Sequence, residues 1–112
     1  MRVELRDEAR EDLVDSAAFY AEQSAGLDDH FLECIRTDLN RLEATAGVHE
    51  VYRGFHRSLC KRFPFAIYYL MADGLVDVVA ILDCRQNPDF TVSRLGRNRV
   101  RAAIADRPPH TT

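Results

Sequence analysis

The chain has no tryptophan, a single lysine (Lys61) and only three cysteines. No apolar run approaches the ~20 residues that a helical membrane span needs. Three cysteines, at 34, 60 and 84, are an odd and widely spaced set with no Cys-x-x-Cys pair, which argues against a disulfide framework or a structural zinc site. His30 and Cys34 stand one helical turn apart, but two ligands do not make a metal site, and His49, His56 and His110 add no spacing pattern. The expectation is therefore no metal and small core thiols. Gly-x-Gly-x-x-Gly, the phosphate-loop pattern and Gly-x-Ser-x-Gly are all missing, so no cofactor is expected. The opening segment, Met1–Glu8, carries charges where a secretory signal has an apolar core, so the expected location is the cytoplasm.

What is present describes one ordinary globular domain of 112 residues, 46% hydrophobic and 29% charged. That is too small to hold a substrate domain beside a cofactor domain. The expected domain runs over residues 1–106, with 107–112 as a flexible tail. The net charge of −3 hides an asymmetry. Residues 1–50 carry five arginines against thirteen carboxylates, a net −8, and residues 51–112 carry ten Lys and Arg against five Asp, a net +5. An anionic partner would meet the C-terminal half, unless the two halves neutralise each other.

Residues 1–5 read as a short strand. Asp7–Ser24 follows as a helix with Ala9, Leu13, Ala17, Tyr20 and Ala21 on one face, and Phe19 on the polar side. Gly26 breaks the pattern. Residues 27–44 form a second amphipathic helix (Leu27, Phe31, Cys34, Ile35, Leu39, Leu42) with Asp38 inside the apolar arc, either paired with an arginine at the rim or available as an acid. So short a break favours an antiparallel helical hairpin. Strand-like segments follow at 55–62, 63–71 and 75–85, with Asp73-Gly74 as a tight turn and the third strand apolar enough to be covered on both faces. Asn87-Pro88-Asp89 reads as a turn, and about Thr91–Asp106 as a weaker helix, with Arg94, Arg97 and Arg101 within about 60° of one another on its outer side. The expected fold is α+β: an N-terminal strand, a helical hairpin on a small, mainly antiparallel sheet, and a C-terminal helical segment.

Arginines on strands carry the chemistry. Arg57, Lys61 and Arg62 lie on the first strand after the hairpin, and Arg85 closes the long apolar strand. Guanidinium groups converging at one sheet edge would bind phosphate or carboxylate, with Phe90 as an apolar or stacking neighbour. The alternative is that they pair with the acidic hairpin.

The strings Arg62-Phe63-Pro64-Phe65-Ala66-Ile67-Tyr68-Tyr69 and Ala80-Ile81-Leu82-Asp83-Cys84-Arg85-Gln86-Asn87-Pro88 resemble the RelE/ParE superfamily of type II toxin–antitoxin systems, as do Ala9, Asp12-Leu13, Phe19-Tyr20, Gly26-Leu27 and Phe31. The resemblance covers roughly residues 2–95 and implies the element order above. It also implies a protein partner, the antitoxin, in a hetero-oligomer, and one of two activities. RelE-like members cut mRNA on the ribosome; ParE-like members poison DNA gyrase without catalysis. For the nuclease branch the matching residues would be Arg57 and Arg85, with His56 as the nearby proton carrier. However, Ala66 and Leu59 stand where that branch has an arginine and a lysine, and no tyrosine follows Tyr69. The resemblance therefore leans to the ParE-like branch, with Arg57, Arg62, Arg85, Phe90, Arg94, Arg97 and Arg101 as residues for target or antitoxin contact. An inactive toxin-fold binding protein is the third reading.

Overall fold

A computed structural model describes residues 1–105, with side chains to Asn98. Strand β1 (Arg2–Leu5) leads into helices α1 (Asp7–Gln23) and α2 (Leu27–Thr45), then β2 (Val51–Tyr52), β3 (Phe55–Leu59), β4 (Phe65–Ala72), β5 (Leu75–Asp83) and α3 (Pro88–Ala105). The five strands form one sheet in the order β1-β5-β4-β3-β2, antiparallel except for the parallel β1–β5 pair. This is the α+β arrangement expected. The expected tail, 107–112, and Asp106 lie outside the described residues, and among those described no helix is long and apolar enough to cross a membrane.

The helical hairpin turns at Gly26, whose φ of +84° is available to glycine at little cost. Its apolar stripe buries Ala9, Tyr20, Phe31, Ile35 and Leu42 against Phe65, Ile67, Tyr69, Val76, Val78 and Ile81 of the sheet. Ala21, placed by sequence on that stripe, is exposed. The alternate residues of β4 face the other way, where Ala66 and Tyr68 join Phe55, Val79, Ala80, Leu82 and Leu95 of α3 in a second core. β5 is thus covered on both faces, as its continuous apolar run predicts.

Several boundaries differ from the sequence pattern, the expected strand 75–85 ending at Asp83 among them. The expected strand 55–62 ends at Leu59: Cys60 N–H still reaches Phe65 C=O at 2.8 Å, but the chain then turns through Lys61–Pro64, and Pro64 has no N–H to continue a ladder. The next strand correspondingly starts at Phe65 rather than at 63. β2 has no strand-like pattern of its own; it forms because Arg53 (φ +52°) and Gly54 (φ +89°) make a two-residue hairpin turn that folds Tyr52 onto Phe55. Finally, Pro88 opens α3 instead of ending in a turn. Proline fits the first helical position, and the Asn87 side chain caps it by accepting Asp89 N–H at 2.9 Å.

The β4–β5 ladder slips at Tyr68/Tyr69, where Tyr68 faces Ala80 and Tyr69 faces Val78, leaving Val79 as an extra residue. β1 stops at the same level, with Leu5 opposite Val78. Beyond it β5 has no strand on that side among the described residues. Its Ile81 N–H instead donates to the Asp12 carboxylate at 3.0 Å, and its Val79 C=O accepts from Arg94 at 3.3 Å.

Candidate functional site

The strand arginines do not converge. Arg57 is directly opposite Tyr68 and shares its face, away from the hairpin. Its guanidinium lies 4.8 Å from the Tyr52 ring centre and donates to Glu50 at 2.9 Å. This carboxylate raises its pKa, and burial pushes the neighbouring Tyr68 hydroxyl up. His56 points to the opposite face, stacked 5.0 Å from Tyr69. Arg85 lies beyond the far end of β5 and turns to the hairpin side, donating to Asp83 at 2.8 Å and to the Tyr20 hydroxyl at 3.3 Å. Its hydrogen bonds hold Asp83 below the usual carboxylate range. The three residues that a nuclease reading selects are thus divided between two faces: Arg57 on one at mid-strand, His56 and Arg85 on the other, with Arg85 past the end of β5. Ala66, at the position of the absent second arginine, is fully buried.

Arg94 departs from the expectation of an exposed arginine face. It is 6% exposed, clamps Asp12 at 2.6 and 2.9 Å, reaches Glu8 at 3.4 Å and donates to Asn98 at 3.1 Å. It fastens α3 to α1. Arg97 is exposed, and the Arg101 side chain lies outside those described. The sequence holds one signal for this network: Arg94 and Asn98 are one turn apart and flank the apolar Leu95.

What does come together is a groove between α1 and the start of α3. Asp15, Ser16, Phe19, Tyr20, Asp83 and Gln86 line a hollow of about 280 Å³ that continues along Ile81 and Leu82 to Phe90. Phe19 and Phe90 stand 53% and 45% exposed at its ends, with Arg85 on its rim. The groove has apolar residues at its ends, carries three carboxylates (Asp12, Asp15 and Asp83) with one guanidinium on its rim, and runs beside the stretch of β5 that lacks a neighbouring strand among the described residues. It suits a protein segment better than a small substrate.

The histidines are used structurally. His49 Nδ1 lies 2.6 Å from the Tyr69 hydroxyl, which also accepts Gly47 N–H at 3.0 Å. Burial first, then repulsion from His56, lowers the His49 pKa. Asp38 is buried and paired with Arg41 at 3.2 Å, and burial together with Asp38 pushes the Cys60 thiol well up. All three cysteines are free, and Cys84 is exposed rather than a core thiol. No group of three metal-ligating side chains occurs among the described residues.

These features agree with two comparisons. No curated protein matches the sequence significantly. A solved structure, the chromosomal ParDE toxin–antitoxin system from P. aeruginosa, shares the fold, with a TM-score of 0.63 at 17% identity over 72% of this chain and 92% of that one. The family model described as the ParE toxin of the type II toxin–antitoxin system parDE matches residues 3–88, from β1 to the first residue of α3. The chain belongs to the ParE toxin family of type II toxin–antitoxin systems.

Proposed function

We propose that this protein is a cytoplasmic, growth-inhibiting toxin that acts by binding a protein target, DNA gyrase first among candidates, and is held inactive by an antitoxin. The observation that carries this reading is the separation of Arg57 from His56 and Arg85 on opposite faces of the sheet, with Arg85 past the end of β5, within a chain whose family is ParE. General acid–base cleavage of RNA needs a proton donor and an acceptor on the same reacting bond, and arginine alone serves neither role well. The groove flanked by Phe19 and Phe90 supports an antitoxin contact, with Arg85 as a charged neighbour and Arg57, Arg62 and Arg97 available on other surfaces.

The test is a pulse-label after induction of the chain alone in a bacterium, with DNA and protein synthesis followed separately. Under this reading DNA synthesis stops first, and Arg57→Ala leaves the arrest intact. If protein synthesis stops first, with mRNA cut on the ribosome, the binding reading falls and an endonuclease with an unusual residue set replaces it.

A further inference from the structure

Lys61 and Arg62 have no ion-pair partner among the described residues, although the hairpin beside them is rich in carboxylates. Both are exposed, and both line a cleft of about 380 Å³ between the second half of α2 and the β3–β4 connection, walled by Cys34, Thr37, Asp38 and Arg41. Arg41 spends one side of its guanidinium on Asp38. The cleft therefore holds three cations against one carboxylate.

The cleft continues past Ser58 to Leu59, at the outer edge of β3. There β2 covers only Phe55 and His56, and Glu50 C=O takes the Arg57 N–H at 2.9 Å. Beyond that point no strand lies outside β3 among the described residues. Cys60 N–H points inward to Phe65, so the alternation of an antiparallel ladder turns the N–H and C=O of Leu59 outward. The Leu59 side chain is 59% exposed. A free peptide edge, an exposed apolar side chain and two unpaired cations thus meet within four residues.

The geometry points to this edge as the docking site of an extended, acidic segment of a protein partner. The segment pairs its main chain with Leu59 and sets carboxylates on Lys61 and Arg62. A nucleic acid fits less well. Its phosphates repeat every ~1.7 Å along a duplex, whereas the cations here are an isolated group on a chain of net charge −3, with Asp38 inside the cleft. A strand edge also offers hydrogen bonds that match a peptide backbone. The inference depends neither on the cellular target nor on the groove between Phe19 and Phe90.

The experiment uses the full chain and a fluorescent nine-residue peptide alternating valine and glutamate, with binding read by anisotropy. Charge reversal of both cations (Lys61→Glu with Arg62→Glu) is expected to weaken binding roughly tenfold, and raised salt to weaken it in the same direction. Methylating alternate peptide nitrogens keeps the charge but removes the edge pairing, and is expected to abolish binding. Leu59→Pro removes the outward N–H at an edge position where proline is tolerated, and should act likewise, with circular dichroism checking the fold. The proposal is overturned if the unmethylated peptide does not bind, if the charge-reversed chain or the methylated peptide binds equally well, or if a single-stranded oligonucleotide displaces the peptide at lower concentration than unlabelled peptide does.

Discussion

Arg94 shows how much one side chain can hold. Its guanidinium is almost fully buried against Asp12, Glu8, Asn98 and Val79 C=O, so removing it strands two carboxylates in a poorly solvated place. Breaking a buried pair from one side costs about 3 kcal/mol or more. Arg94→Ala should lower the urea midpoint accordingly, and restoring part of the loss with a second change, Asp12→Asn, would identify the uncompensated charge as the cause. Arg57→Ala removes a pair whose carboxylate partner is more than half exposed, and should shift the midpoint by well under half as much. At His49 the prediction concerns pH. Its folded-state pKa lies below its ordinary value of 6.5, so the unfolded chain binds the extra proton first as pH falls. Stability contributed by the neutral ring is complete above about pH 6.5 and is lost as pH drops towards the lowered pKa. Unfolding curves between pH 7.5 and 5 should show this slope, and His49→Gln should flatten it. A carboxylate follows the same direction in a lower window: Asp83, held down by Arg85, releases its contribution only as pH falls below about 4.

At the scale of elements, two glycines separate backbone need from mere presence. Gly26 joins the two helices at φ +84°, with open space around it, so Gly26→Ala meets only backbone strain and should cost about 1 kcal/mol. Gly96 lies inside α3, also with nothing within 4 Å of an added methyl group, and Gly96→Ala should stabilise by about 0.5–1 kcal/mol. Opposite signs in thermal melts check both assignments at once. The elements themselves were largely legible in the sequence, because a 3.6-residue stripe and a continuous apolar run report burial directly: the hairpin and β5 follow from them. β2 was not legible. Two residues carry no period, and the turn that creates the strand puts arginine, rather than the usual Asn or Asp, at a positive φ. The start of α3 was hidden by proline, which marks a turn and a helix start with the same letter. The candidate site was legible only in parts. Phe19 and Phe90 stand out as apolar residues on polar ground, but nothing along the chain says that α1 and α3 bring them to one groove, or that Arg94 is spent inside the protein.

At the scale of the whole molecule, the acidic N-terminal half and basic C-terminal half are joined by pairs that cross between them: Arg94 with Asp12 and Glu8, Arg57 with Glu50 and, with the signs exchanged, Arg6 with Asp77. The rest of the asymmetry is left on the surface. An antitoxin that binds only the folded chain should raise its stability by about 2.7 kcal/mol when present at a hundred times its dissociation constant. A melt of the complex that did not shift with antitoxin concentration would count against a partner that covers the folded surface.

The carboxylate of Asp12 sits where β1, had it been longer, would have offered a carbonyl to Ile81. A side chain from a helix thereby finishes a sheet that the main chain leaves unfinished, and makes that border non-adhesive. Strip the carboxylate away and the amide regains an appetite for any passing backbone, including that of an identical molecule. The variant Asp12→Ala is then expected not only to melt earlier but to self-associate with rising concentration, visible as a growing dimer peak in size exclusion. One acid on α1 thus closes the Ile81 amide at this border of the sheet.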